Sequence, residues 1–210
     1  MDELVRRWAH GWTLCRGLAA PLNRPAALEV TLGLPGRDRE LFALTDHAET
    51  VNDLAIDAAR TTATWLTVTT EQPAAKAAVL EQAGLELLDE PCLLMTIDLT
   101  KHPIKAAPPE YTLQTSSDGP LEYAKVKDAQ GNVAAHGMAA IVGHDAVLHD
   151  IQTDPAHRRR GLGSVVMSRL SRRAMDRGAA TGLLMATTDG GYLYTKLGWS
   201  TEATMITAVS

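Results

Sequence analysis

The 210-residue sequence predicts an α/β (α+β) fold in which a mixed central sheet is flanked by helices. Stretches rich in β-branched residues alternate with amphipathic helical stretches over most of the chain, which is typical of strands joined by helical crossovers. In the second half, four strand-like stretches also follow one another without a helix between them, as antiparallel hairpins do. A sheet with both parallel and antiparallel neighbours accommodates the two patterns.

Helical and strand periodicities define the predicted elements of the first hundred residues. Pro73 and Gly84 bracket the clearest helix, because proline suits the first helical position and glycine suits the left-handed position after the last. The predicted helices cover 2–20, 50–59 and 73–82. The predicted strands cover 28–34, 65–70 and 92–99, and 39–44 is a strand or a short helix.

A connector with three prolines in nine residues, 101–109, precedes the second half and favours extended chain. We therefore predict three parts, which are 1–100, the linker 101–109, and 110–210. The predicted strands of the last part cover 111–115, 121–128, 133–142, 146–153, 182–187 and 203–209. Its predicted helices cover 163–177 and 191–196.

Composition and charge exclude several classes of function. Hydrophobic residues make up 45% and charged residues 21%, and no apolar run approaches the ~20 residues that cross a membrane. Residues 1–100 hold 8 Lys/Arg and 15 Asp/Glu, a net charge of −7, and residues 101–210 hold 12 and 10, a net charge of +2. Neither half is basic enough for nucleic acid. Because Cys15 and Cys92 stand apart and no secretory pattern opens the chain, we expect a cytoplasmic protein without membrane or nucleic-acid partners.

The stretch from Asp154 to Ser164 carries the strongest chemical signal, because it lies between a predicted strand and a predicted helix. Backbone N–H groups at a helix N-terminus bind phosphate through unpaired donors and the positive end of the helix dipole. Gly161 and Gly163 let a ligand approach the backbone closely, and the three arginines at 158–160 attract phosphate oxygens. The stretch therefore predicts a pyrophosphate site.

Residues 149–199 resemble the core of the GNAT (GCN5-related) N-acetyltransferase superfamily. Arg158–Gly163 matches its Arg/Gln-x-x-Gly-x-Gly/Ala loop, and Tyr194–Trp199 matches its Tyr-x-x-x-Gly-Phe signature with Trp in place of Phe. About 50 further residues, 111–150, follow its strand order. The resemblance implies the GNAT acyl-CoA N-acyltransferase fold, acetyl-CoA as cosubstrate and no metal.

The resemblance also assigns the cosubstrate contacts. In this family the pantetheine arm pairs with the strand before the loop, and the pyrophosphate binds the loop. Thr153 stands where the family usually has Val, which should matter little for a backbone contact. The implied binding residues are Ile151, Gln152, Thr153, Arg158, Arg159, Arg160, Gly161, Leu162, Gly163 and Ser164.

Acyl transfer to an amine needs a base for the amine, a donor for the thioester oxygen and an acid for the leaving thiolate. The resemblance implies Tyr194 as the acid, with Tyr192 a weaker rival. Histidine titrates near neutrality, and His149 lies nine residues before Arg158, where a family member similar in this segment has a histidine proposed to help deprotonate its amine. Strand alternation places Val147, His149 and Ile151 on one face and Asp150 on the other. The weaker candidates for the base are Asp150 and His136.

The chain departs from the family pattern on the acceptor side. Ordinary members place two helices between their first and second strands, whereas only about five residues, Ser116–Pro120, separate those strands here. Residues 80–85, 65–70 and 92–99 resemble 194–199, 183–188 and 203–209 respectively. They suggest a pseudo-duplicated chain whose degenerate first copy does not bind CoA, or else a generic αβ segment. We hypothesise that residues 1–100 replace the missing helices with an acidic wall suited to a cationic amine.

The leading functional hypothesis is an N-acetyltransferase that transfers the acetyl group of acetyl-CoA to the amine of a small molecule by direct attack in a ternary complex. A non-catalytic acyl-CoA-binding regulatory module is the alternative from a different class, since a missing acceptor-site cover can accompany lost catalysis. A peptide or protein N-terminal acetyltransferase is a third reading. We expect a monomer or a homodimer.

Overall fold

Helices and strands alternate along all 210 residues of the computed structural model. The helices are α1 (Asp2–Cys15), α2 (Ala48–Ala59), α3 (Pro73–Gln82), α4 (Leu162–Asp176) and α5 (Thr188–Lys196). The strands are β1 (Leu22–Arg24), β2 (Ala27–Leu34), β3 (Arg37–Ala43), β4 (Thr64–Thr70), β5 (Glu86–Leu87), β6 (Cys92–Asp98), β7 (Thr112–Asp118), β8 (Leu121–Lys127), β9 (Val133–Val142), β10 (Asp145–Thr153), β11 (Thr181–Thr187) and β12 (Ser200–Val209). None of the helices combines the length and the apolar character needed to span a bilayer.

Several predicted elements differ from the structure, among them α5 and β12, which each begin three residues before the predicted start. Helix α1 ends five residues early, because Gly17 adopts a left-handed φ of +65° and the chain turns back so that the Leu18 N–H donates to the Thr13 carbonyl. The ambiguous stretch 39–44 is the strand β3. Strand β7 extends to Asp118, so the predicted five-residue gap before β8 shrinks to a two-residue turn.

The chain divides into two units. The first unit consists of Met1–Met95, Met185–Gly191 and Thr201–Ser210, and the second of Thr96–Leu184 and Tyr192–Ser200. The limits predicted for the three parts of the chain remain predictions.

In the first unit the strand order is β1-β2-β3-β4-β12, and β5 also pairs with β12. Only β3 and β4 are parallel, and α2 connects them. A core of aliphatic side chains from β3, β4, β12, α2 and α3 includes Leu41, Leu66 and Leu80. Side chains alternate across a strand, so Phe42 faces away from this core and packs edge-on against Trp8 and Trp12 of α1.

In the second unit the strand order is β11-β10-β9-β8-β7. Only β10 and β11 are parallel, and α4 connects them and packs on β8, β9 and β10. Strands β7 and β8 form a direct hairpin with Asp118 opposite Leu121, so no helix lies between them. The acceptor-side helices that the family resemblance leads one to expect are therefore absent from this position.

Two features hold α4 close to its sheet. Gly137 of β9 lies beneath the helix, where an added Cβ would come within 2.9 Å of the Val166 Cγ1 and would also clash with the Ile151 Cδ1. Nearby, the Glu122 carboxylate is completely buried and accepts hydrogen bonds from Arg173, Arg177 and Ser117. Burial alone would raise the pKa of Glu122, but these three donors outweigh it and hold the pKa below its ordinary value.

Candidate functional site

The loop before α4 presents a row of free backbone donors. Its first turn, Pro155–His157, is capped by the Asp154 Oδ1, which accepts from the Ala156 N–H at 2.8 Å. Arg159 and Gly161 then adopt left-handed φ values of +64° and +77°. The six backbone N–H groups of residues 159–164 donate to no acceptor within the protein. They surround the N-terminus of a 15-residue helix, where the helix dipole also favours an anion.

The three predicted arginines are all exposed around this loop. The Nε of Arg158 donates to the Thr153 carbonyl at 3.4 Å, and an Nη of Arg160 donates to the Tyr111 hydroxyl at 3.1 Å. No acidic side chain pairs with any of the three. Their positive charge is therefore available to an anionic ligand.

Three side chains that the sequence analysis did not identify, Tyr111, Asp128 and His157, contact one another next to the loop before α4. The Tyr111 hydroxyl is 2.9 Å from the Nδ1 of His157, and the Nε2 of His157 is 3.7 Å from the Asp128 Oδ2. Asp128 in turn accepts from the backbone N–H groups of Gln130 and Asn132 in the β8–β9 turn. These contacts join residues up to 46 positions apart, so no local sequence signal could reveal them.

Strand β10 extends past its parallel neighbour. Its register with β11 covers only Asp145↔Thr181 to Val147↔Leu183, so residues 151–153 lie beyond the paired stretch. The Thr153 Oγ1 lies 3.6 Å from an ideal Cβ on Gly163, which places the end of β10 beside residues 158–164, the predicted phosphate loop. The strand and loop residues that the sequence assigned to the cosubstrate are therefore neighbours.

A β-bulge at Asp150 changes which way the side chains of β10 point. His149 lies opposite Met138 and Gln152 opposite His136, so the two intervening residues of β10, Asp150 and Ile151, oppose the single residue Gly137 of β9. Asp150 has a φ of +54°. The predicted common face of Val147, His149 and Ile151 is wrong for Ile151, whose side chain points towards α4 and Gly137 while His149 points to the opposite face.

The bulge brings two of the weaker base candidates together. The His136 Nε2 is 3.3 Å from the Asp150 Oδ2, and the Gln152 Nε2 donates to the other carboxylate oxygen. All three side chains are partly or fully exposed. His149, the leading candidate from the sequence, lies one residue before the bulge on the same face as His136.

Tyr194 is on α5, and its ring is 9% exposed and packs against Trp199. Burial raises its pKa to about 12, so the phenol keeps its proton throughout the neutral range. Its neighbour Leu193 approaches an ideal Cβ on Gly163 at 3.3 Å, which brings α5 against the phosphate loop. The rival Tyr192 is 69% exposed.

No group of three or more His, Cys, Asp or Glu side chains is placed to hold a metal ion. The free donors of the loop fit a pyrophosphate, and the edge of β10 that extends beyond its pairing with β11 fits an extended arm that hydrogen-bonds to backbone. Together these two features define a candidate acyl-CoA site within the second unit.

Gly161→Val tests the loop geometry. We expect the variant to bind acetyl-CoA roughly 5- to 150-fold more weakly, because a β-branched residue resists the left-handed φ and strain of about 1–3 kcal/mol would move the free N–H groups. Isothermal titration calorimetry measures the Kd. Gly143→Val is the matched control, since Gly143 also has a positive φ and open space but lies in the β9–β10 turn. Equal Kd values for the two variants would contradict the role of the loop.

The sequence matches the family model described as the acetyltransferase (GNAT) family over residues 93–199. Since this match covers half of the chain, the protein belongs to the GNAT acetyltransferase family. Membership supports acyl transfer as its chemistry. A search of curated proteins finds no match.

Solved structures of similar fold include several members of this family. A GCN5-related N-acetyltransferase from Kribbella flavida has a TM-score of 0.68 at 16% identity, over 97% of this chain and 94% of that chain. Another from Sphaerobacter thermophilus has a TM-score of 0.67 at 11% identity, over 87% and 76%. A tandem GNAT protein from the clavulanic acid biosynthesis pathway has a TM-score of 0.61 at 14% identity, over 88% and 78%. At these identities the likeness establishes the fold, a mixed sheet flanked by helices.

Proposed function

We propose that the protein is a cytoplasmic N-acetyltransferase that transfers the acetyl group of acetyl-CoA to the amine of a small molecule, by direct attack in a ternary complex. The observation that carries this proposal is the row of free N–H groups at residues 159–164 beside the end of β10, where β10 no longer pairs with β11. Loop and strand together supply what the two parts of the cosubstrate need, donors for its phosphates and a backbone edge for its pantetheine arm.

In this proposal each residue has a distinct task. The backbone of residues 158–164, with Arg158, Arg159 and Arg160, holds the pyrophosphate, and residues 151–153 align the arm. A backbone N–H of that strand stabilises the charge that develops on the thioester oxygen. Tyr194 gives its proton to the leaving thiolate, and a histidine on the exposed face of the sheet, His149 by the sequence argument, accepts the proton of the amine.

A small cationic amine is the acceptor that the charge distribution favours. Residues 1–100 carry a net charge of −7, which raises the local concentration of cations. Because β7 and β8 form a direct hairpin, helices between these strands do not contribute to the acceptor site.

We further propose that the chain contains two GNAT-like copies, of which the first is degenerate. Supporting this, β3, α2, β4 and α3 of the first unit repeat the order of β10, α4, β11 and α5 of the second, each with one parallel pair. The tandem GNAT protein of similar fold is consistent with such an arrangement. In the first unit the start of α2 is acidic, and the Thr70 Oγ1 donates to the Asp46 Oδ2 at 2.7 Å, where the second unit has glycines and arginines. We therefore expect a single CoA per chain.

Thermal unfolding with acetyl-CoA, CoA or ATP tests the binding part of the proposal. At about 100 times its Kd, acetyl-CoA should raise the Tm by roughly 5–10 °C, because a ligand bound only to the folded state adds about 2.7 kcal/mol. Gly161→Val should lose most of this shift. A protein that neither CoA species stabilises would overturn the proposal.

Thiol release then tests catalysis with tyramine, spermidine, glucosamine and an Ala-Ala peptide as acceptors. Release with one of the three small amines supports the proposal. Release with the peptide alone would favour an N-terminal acetyltransferase. Stabilisation by acetyl-CoA without release for any acceptor would instead indicate a regulatory module.

A further inference from the structure

We propose that His136, oriented by Asp150, is the general base that accepts the proton of the acceptor amine. This inference rests on the proposed acetyltransferase function and deepens it. It replaces the sequence argument for His149 with an argument from contacts within the second unit.

The backbone at Asp150 adopts an unusual conformation. A non-glycine residue is uncommon in the left-handed region, although Asp and Asn tolerate it best. Here the conformation inserts one extra residue into β10 and carries Asp150 out of the normal alternation. Its carboxylate thereby contacts His136 on the neighbouring strand β9.

The Asp150 carboxylate contacts two side chains, one through each oxygen. One oxygen is 3.3 Å from the His136 Nε2, and the other accepts from the Gln152 side-chain amide. Both oxygens are therefore engaged, and the carboxylate cannot turn away from the imidazole without losing a hydrogen bond. A carboxylate at this distance accepts a hydrogen bond from an Nε2–H and so fixes the orientation of the ring.

The contact with Asp150 distinguishes the two ring nitrogens of His136. With the proton on Nε2, the Nδ1 of His136 carries a free lone pair, and Nδ1 has no partner within the protein. The His136 side chain is 37% exposed, so an amine can reach it. A histidine fixed by a carboxylate at one nitrogen and open at the other is suited to accept a proton.

His136 and Asp150 lie next to the strand segment of the proposed acyl-CoA site. Gln152, which lies opposite His136, belongs to the strand segment proposed for the pantetheine arm. Ile151 and Thr153 point towards α4 and the phosphate loop, whereas His136, Asp150 and Gln152 belong to the other face. The cosubstrate's phosphates and the proton acceptor thus occupy opposite faces of one strand, which leaves the exposed face to the acceptor amine.

Other polar groups share that face. Lys125 of β8 lies opposite His136, and Tyr123 of β8 and His149 of β10 both lie opposite Met138 of β9. Asp150, by contrast, is in direct contact with the His136 ring. His149 is separated from residues 151–153 by the bulge, whereas His136 lies directly across from Gln152.

In the proposed acetyl transfer, the acceptor ammonium group loses two protons. The His136 Nδ1 takes one proton from the ammonium group of the acceptor, and the neutral nitrogen attacks the thioester carbon. The new C–N bond forms and the C–S bond breaks. Tyr194 protonates the thiolate sulfur and is reprotonated by the second proton of the nitrogen, so one proton per turnover reaches solvent through His136.

The test compares His136→Gln and Asp150→Asn with the wild type in the full-length protein, using the best acceptor among tyramine, spermidine and glucosamine. Asparagine preserves the size of Asp150 and tolerates its positive φ. His10→Gln, on the exposed face of α1, is the matched histidine control. The measurements are the Kd for acetyl-CoA and kcat/KM for the amine between pH 6 and pH 9.5.

We expect His136→Gln to lower kcat/KM about 100-fold or more at pH 7 while the Kd for acetyl-CoA stays within twofold of wild type. Its residual rate should rise about tenfold per pH unit, because only the already neutral amine reacts. Asp150→Asn should lower kcat about tenfold and leave the KM for the amine and the Kd for acetyl-CoA within twofold of wild type, since the amide holds the His136 ring in place less firmly. A merely structural role for Asp150 would change the Kd for acetyl-CoA as well.

Two results would overturn the inference in distinguishable ways. A wild-type enzyme that turns over, together with a His136→Gln variant that keeps its rate and pH profile, would refute the base assignment alone; if His149→Gln then lost activity, His149 would be the base. A wild type that binds acetyl-CoA but releases no thiol with any acceptor would refute the proposed enzyme and the base assignment together.

Discussion

Replacing Tyr194 with phenylalanine is expected to lower kcat for amine acetylation about 100-fold, with the Kd for acetyl-CoA within twofold of wild type. The reason is that the phenol supplies the proton for the leaving thiolate but does not hold the cosubstrate. Its ring is already buried against Trp199, so phenylalanine preserves the packing. Thiol release under saturating acetyl-CoA measures kcat, and calorimetry measures the Kd.

The pH dependence of this variant is also informative. Because burial raises the pKa of Tyr194 to about 12, the donor stays protonated throughout the working range and should impose no alkaline limb on the wild-type profile below about pH 10. Tyr192→Phe is the matched comparison, since it carries the same change two residues away on α5. Full turnover in Tyr194→Phe with chemistry rate-limiting, or a loss in Tyr192→Phe alone, would contradict the assignment.

Glu122→Gln is expected to lower the free energy of unfolding by about 2–3 kcal/mol at pH 7. Glutamine keeps the volume but removes the buried charge that Arg173, Arg177 and Ser117 share. Losing one partner of a fully buried ion pair costs about 3–5 kcal/mol, but both arginines here are about one-third exposed and can regain water, so the smaller value applies. Urea unfolding measures the change.

The sign of the pH effect follows from the depressed pKa of Glu122. A carboxyl group whose pKa is lower in the folded state stabilises the protein above its ordinary pKa of 4.5, and this stability is lost as the pH falls through the folded value. The wild type should therefore lose stability below about pH 4.5 more steeply than Glu122→Gln. The control is Glu110→Gln, which changes an exposed carboxylate. Parallel curves for wild type and Glu122→Gln would refute the account of this network.

The sequence predicted those parts of the fold whose causes are local. Helix α3 was placed correctly at both ends, because Pro73 pre-sets the first turn and Gly84 takes the left-handed conformation after the last. The loop between β10 and α4 was placed for a similar reason, since Gly161 and Gly163 act on their own backbone, and its phosphate-binding role stays a prediction. Period-two patterning likewise identified β9 without error.

What the sequence could not predict depends on contacts between distant residues. The bulge at Asp150 contains no glycine, so the sequence carries no local signal for it. The bulge is stabilised by pairing with β9 and by contacts with the side chains of His136 and Gln152. Tyr111 reaches the phosphate loop only through the fold. The limits of α1 and β7 also depended on how the chain turns back on itself, which periodicity does not describe.

The pairing of β12 with β4 has a consequence for the order in which the protein can be made. Thr204–Val209 complete the sheet of the first unit by pairing with Trp65–Thr70, almost 140 positions earlier in the chain. A ribosome synthesises the chain from its N-terminus, so Thr96–Leu184 is made before β12. Until β12 is made, the edge of β4 that pairs with β12 remains unpaired. During translation the second unit, although encoded later, can therefore finish most of its sheet before the first.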